Sequence, residues 1–182
     1  MHRKPLLDAI ADYGSRYPGE AESVQRISEF VAQHSDCFQR SLAVGHITGS
    51  AWLVNAENSH ALFTHHRKLN LWLQLGGHAD GESTVQNVAL REACEESGLS
   101  MLQLVDASIF DIDIHLIPAR KSEAAHYHYD VRYLIQAKGD EALTVSDESH
   151  DLAWFSAAEI AAQFFDQSIL RMTHKWHTVL TS

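Results

Sequence analysis

The chain has 182 residues, two cysteines, 13 histidines and a formal net charge of −10. A nucleic-acid binder normally carries a basic patch, and none is evident, so nucleic acid is not the expected partner; no apolar run approaches the ~18 residues of a membrane-spanning helix. Two cysteines without Cys-x-x-Cys spacing, Cys37 and Cys94, exclude a disulfide framework or a cysteine zinc site and suit packed thiols in a reducing cytoplasm.

The length fits one domain with its own core. The start, MHRKPLLDAIADYG, is basic but lacks the apolar run and cleavage site of a signal peptide, so it is expected to belong to the fold. Residues 1–40 read as a helical extension of two helices packed on a domain of residues 41–182. The first covers about Leu6 to Tyr13 and ends near Gly14. The second follows the Pro18-Gly19 turn, about Ala21 to His34, with Val24, Ile27, Phe30 and Val31 at helical spacing. Packing, substrate selection or formation of a homodimer is the expected role of this extension.

From Leu42 to Val54 the sequence suits a strand with glycine irregularities. Asn55–Asn58 reads as a turn and His60–His65 as the returning strand of a hairpin. Leu71–Leu75 is a short strand ending at Gly76-Gly77. A helix is expected from about Ser83 to Ser97, capped by Ser83 or Thr84 and ended by Gly98. Strands follow over about Leu102–Leu116, interrupted, and His126–Ala137. A polar loop leads to a strand at Asp151–Phe155, and helices near Ala157–Gln163 and Gln167–Val179 close the chain. Mixed strands with few helices indicate an α/β or α+β sandwich.

The helix beginning at Ser83 carries Glu92, Glu95 and Glu96 at i, i+3 and i+4, hence on one face. Glu92 prolongs the apolar stripe of Val85, Val88 and Ala89, so an inward face becomes acidic within two turns. Converging carboxylates are costly to bury unless a cation or protons compensate. Mg²⁺ takes such oxygen ligands together with phosphates and water. A solvated acidic face, with Arg91 pairing locally, is the plainer alternative from spacing alone.

The wider segment weighs against that alternative. Arg91-Glu92-Ala93-Cys94-Glu95-Glu96-Ser97-Gly98-Leu99 resembles the second half of the Nudix box, Arg-Glu-apolar-x-Glu-Glu-x-Gly-apolar, and Gly77 occupies the glycine position of the box. The early glutamate position, eight before the arginine, holds Ser83, with Glu82 beside it. Trp154-Phe155 followed by a helix also resembles the family, and the likeness covers about residues 40–165. It implies an α/β/α sandwich with a mixed sheet, and hydrolysis of a nucleoside diphosphate derivative, a small molecule, using Mg²⁺ or Mn²⁺. Carried onto this chain, it implies Glu92, Glu95 and Glu96 as metal-binding acids, with a backbone carbonyl at Gly76 or Gly77 as a further ligand. One of these acids would orient or deprotonate water, and Arg91 would position a glutamate through a bidentate pair. A further acid from a later loop is expected at Glu148, with Asp147 as the alternative.

Two strands carry polar residues at alternating positions, Asp111, Asp113 and His115 in one, and His126, His128, Asp130 and Arg132 in the other. If the strands are neighbours, Asp113, His115, His128 and Asp130 line one cleft, to grip a polar substrate or hold a second metal. A solvent-facing sheet surface is the alternative. His78, after the glycine pair, is a candidate for substrate contact. Arg67 and Lys68 either meet a phosphate or form a solvated turn. Two rival functions remain from the sequence. An isopentenyl-diphosphate isomerase would share the fold, but neither Cys37 nor Cys94 lies in a matching catalytic segment. A non-catalytic nucleotide sensor would have no need of the metal-binding acids.

Overall fold

The computed structural model describes residues 2–120, 124–139, 142–164 and 166–180. It forms two compact units, residues 1–50, 76–89 and 107–133 in the first and residues 51–75, 90–106 and 134–182 in the second. Five α-helices and eight strands make up an α+β fold with a mixed sheet among the described residues. Strands β1 (Gly45–Val54) and β7 (His126–Ala137) and helix α3 (Val85–Ser97) contribute one part to each unit.

In the first unit, helices α1 (Lys4–Arg16) and α2 (Ala21–Gln33) are joined through a 3-10 turn at Pro18–Glu20. Leu6, Ile10 and Tyr13 of α1 and Ile27, Phe30 and Val31 of α2 are buried at helical spacing. That stripe carries α1 through Gly14, where the sequence suggests an end, because burial of the stripe outweighs the ~1 kcal/mol cost of a helical glycine. The Arg3 guanidinium donates to the carbonyls of Val31 and Ala32 at 2.7 and 2.9 Å, satisfying the open end of α2. Phe30 stacks on Tyr129 with ring centroids 3.8 Å apart, and Arg16 donates to the Ile109 carbonyl at 2.8 Å. These contacts join the helices to the sheet.

The sheet in this unit contains β1, β4 (Leu75–His78), β6 (Asp111–Ile117) and β7, with β4 and β7 pairing with β1 and β6 with β7. The β6–β7 register sets Asp113 opposite Asp130 and His115 opposite His128. Gly76 brings β4 hard against β1: a Cβ on it would stand 2.8 Å from the Ser50 Cα. Only glycine tolerates that approach.

In the second unit, β2 (His60–His66) pairs antiparallel with β8 (Ser149–Ser156), with β3 (Leu71–Leu73) and, at Ala61, with Val54 of β1. Strand β5 (Leu102–Leu104) pairs with the end of β7. Trp52, Phe63 and Trp176 are fully buried, with Trp52 edge-on to both Phe63 and Trp176. Helix α4 (Ala157–Gln163) opens on a capping box between Ser156 and Glu159, and α5 (Gln167–Leu180) closes the described chain.

Most expected elements sit where the sequence places them. The strand expected over Leu71–Leu75 is instead divided at Gln74, and its second part runs on through both glycines to His78. Helix α3 begins at Val85, not Ser83, because the Glu82 carboxylate accepts from the Thr84 amide at 2.7 Å and holds the preceding residues in a turn.

Candidate active site

Helix α3 supplies the acidic residues. Val85, Val88, Ala89 and Ala93 are buried, and the Glu92 side chain continues that stripe with 15% exposure, against 60% for Glu95. Glu96 is half-buried. One guanidinium nitrogen, Arg91 Nη1, lies 2.8 Å from Glu92 Oε1 and 3.2 Å from Glu95 Oε2, bridging the two. Burial pushes the Glu92 carboxyl above its ordinary range; Arg91 works against the shift, and the charges of Glu95 and Glu148 add to it. The helix ends at Gly98, whose φ of 75° is left-handed and whose amide donates to the Cys94 carbonyl at 2.9 Å.

Glu148 stands in the turn that opens β8, beside the exposed Asp147. Its carbonyl accepts from the Arg67 amide at 2.9 Å, and the Arg67 guanidinium donates to the Ser149 carbonyl at 2.8 Å. The Thr64 and Ser149 hydroxyls bond at 2.5 Å. Arg67, a candidate for phosphate contact in the sequence, thus grips the turn that carries Glu148, and the charge of Glu148 is felt at Glu92. Lys68 is exposed just after β2.

Carboxylates are the ligands a hard divalent cation prefers; of these acids Glu92 is largely withdrawn from water, and the charges acting on it are those of Arg91, Glu95 and Glu148. Gly77 lies within β4 and Glu82 is bound to the Thr84 amide, both in the first unit.

The polar alternation of β6 and β7 leads to a different arrangement from an open cleft or a solvated face. Arg132 is buried with its Nε 2.7 Å from Asp130 Oδ2, its Nη1 3.1 Å from Asp111 Oδ2 and its Nη2 3.4 Å from Asp113 Oδ2. Asp130 also accepts from Thr48 and Ser50 at 2.8 and 2.7 Å. Burial raises the Asp130 carboxyl, but Arg132 and Ser50 more than offset it and hold it below the usual range. Arg132 and Asp130 are therefore structural charges of the interior, and Asp113 links them to His115 Nδ1 at 3.1 Å.

Beyond His115 the imidazoles collect. His78 at the end of β4, His128 on β7 and His46 on β1 surround a common point, with their ligating atoms all within 4.8 Å of one another. Burial first, then the neighbouring histidines, pushes His46 down to about 4 and His128 to about 3. The sequence reading names His78, His115 and His128 but misses His46. Its signal is the alternation His46, Thr48, Ser50 on β1, whose two hydroxyls meet Asp130.

The NUDIX domain model matches residues 46–176, so this chain belongs to the Nudix family, hydrolases of phosphorus-containing acid anhydrides. Similar solved structures share the fold at low identity. A C. elegans Ap4A hydrolase binary complex is 13% identical with a TM-score of 0.60, over 74% of this chain and 97% of that one. The E. coli dihydroneopterin triphosphate pyrophosphohydrolase is 15% identical with a TM-score of 0.60, over 75% and 96%. A MutT NUDIX hydrolase from Burkholderia pseudomallei is 20% identical with a TM-score of 0.54, over 72% and 97%. A search of curated proteins finds no match. No helix among the described residues is long and apolar enough to cross a membrane.

Proposed function

We propose that this chain hydrolyses the diphosphate bond of a small nucleoside diphosphate derivative, with Glu92, Glu95 and Glu96 holding Mg²⁺ or Mn²⁺. The observation that carries the reading is the half-buried Glu92 carboxylate beside Arg91, sensing the charges of Glu95 and Glu148. A divalent cation relieves that concentration of charge and, when bound, neutralises phosphate oxygens and acidifies water.

The chain's own groups have separable tasks in this reading. Arg91 holds Glu92 and Glu95 in fixed rotamers through one shared nitrogen. Glu148, carried on the turn gripped by Arg67, would accept a proton from the attacking water. The net charge of −10 repels a polyanion at long range, so capture depends on the cation and local basic groups. Among the similar structures, the Ap4A hydrolase and the dihydroneopterin triphosphate pyrophosphohydrolase both act on phosphoanhydrides, in keeping with this class.

Cys37 favours no isomerase chemistry. It is fully buried, and burial raises its thiol to about 11, which leaves no thiolate for proton transfer. Product analysis on a panel of nucleoside diphosphate derivatives with Mg²⁺ and Mn²⁺ tests the proposal. Two phosphorylated products per turnover are expected. Isomerised substrate, or binding of the panel without turnover, would replace the proposal by an isomerase or a sensor.

A further inference from the structure

The histidine cluster stands apart in its chemistry from the glutamates of α3. The ring centroids of His46, His78 and His128 form a nearly equilateral triangle, with sides of 5.0, 4.8 and 5.2 Å. Three imidazoles on one tetrahedral ion at ~2.1 Å would place their ring centroids about 5.2 Å apart. The rings thus already have the spacing of a three-histidine site.

A second observation is independent of that spacing. His46 is 3% exposed, yet neither of its ring nitrogens has a hydrogen-bond partner, and the buried Nε2 of His128 also has none. A neutral imidazole carries one donor and one acceptor, and burial of these without partners is unfavourable unless something else occupies them. Ring packing alone leaves the nitrogens unsatisfied, whereas a metal ion takes up one lone pair from each ring. The surroundings also hold the rings in place. His126 stacks on His46 at 5.0 Å, His115 lies edge-on to His128 at 5.5 Å, and Asp113 fixes His115 from behind. Gly76, two residues before His78, presses β4 against β1.

We propose that His46, His78 and His128 form a second metal site, selective for a borderline transition dication such as Zn²⁺ and open at its fourth position. Imidazole ligands favour Zn²⁺ and its neighbours over Mg²⁺, which prefers oxygen. Three protein ligands with a free fourth position are the pattern of a site that also binds water or a ligand.

The test uses the untagged full chain, stripped with chelator, then loaded with Zn²⁺ and desalted. Co²⁺ serves as the optical probe. The wild type is expected to retain one equivalent of Zn²⁺ and to show the visible d–d bands of a nitrogen-ligated, four- or five-coordinate Co²⁺. Glu96→Gln is expected to retain both properties. His46→Gln and His128→Gln are each expected to weaken Zn²⁺ binding at least tenfold, with an unchanged far-ultraviolet spectrum. His78→Gln, at a half-buried strand end, gives the same readout should either of the others fail to fold. Overturning results are a wild type that retains no Zn²⁺, His variants that bind it as tightly as wild type, or loss of the metal in Glu96→Gln alone.

Discussion

Replacement of Arg132 by Met removes the cation from a buried cluster while keeping the length of the side chain. The Arg132 side chain is 3% exposed, and the carboxylates it pairs most closely, Asp130 and Asp111, are 3% and 0% exposed. Breaking a buried pair by deleting one partner costs about 3–5 kcal/mol, because the charge left behind is uncompensated. For a chain of 182 residues, each kcal/mol moves the melting temperature by roughly 2–4 °C. Arg132→Met is therefore expected to melt roughly 6–20 °C below wild type. Thermal and urea unfolding in chelator, followed by circular dichroism, measure the loss. The pH dependence supplies a second sign. In wild type, Asp130 is held below its ordinary range, so its stabilisation is present above the unfolded value and is lost as pH falls through the lower folded value. In the variant the same carboxyl is buried without a cation and its folded value is raised. Stability is then lost as pH rises through that value and returns on acidification. A loss below about 1 kcal/mol, or pH slopes of the same sign in both proteins, would refute the assignment of Arg132 as the cluster's counter-ion.

Burial raises Glu92 above its unfolded value, so its ionised form weakens the metal-free fold at neutral pH. Glu92→Gln is therefore expected to raise the melting temperature in chelator while abolishing turnover, and a lowered melting temperature would contradict the sign. Gly76→Ala drives a methyl into the Ser50 backbone and is expected to cost at least the ~1–3 kcal/mol of an overpacked core, measured by urea midpoint. Ser156→Ala removes the cap of α4 and is expected to cost about 1 kcal/mol in the same assay. Cys37, buried and raised to about 11, is expected to resist thiol reagents until the protein unfolds, and reaction in the native state would contradict its packing.

Local signals wrote much of this fold into the sequence. Alternation over His126–Tyr133 marks most of β7, and Ser156 with Glu159 announces the start of α4. The pairing of Arg91 with Glu95 follows from i,i+4 helical spacing, which makes these side chains neighbours before any tertiary contact forms. Where long-range contacts decide, the sequence says less. Nothing local distinguishes a glycine that ends a strand from Gly76, which continues one by pressing against Ser50. The alternation in β6 and β7 shows two polar faces, but only the pairing with β1 reveals that Thr48, Ser50 and Asp130 bury one of them. His46 was legible by the same alternation rule applied to β1. Its meaning depends on His78 and His128, which arrive from strands far away in sequence.

The most direct measurement is the steady-state release of nucleotide product, with saturating Mg²⁺, by wild type and by Glu96→Gln prepared side by side. A fall in kcat of at least about a hundredfold, with an unaltered circular dichroism spectrum and melting curve, is the result expected if the α3 carboxylates organise the reaction. Equal rates in the two proteins would place the chemistry elsewhere in the molecule.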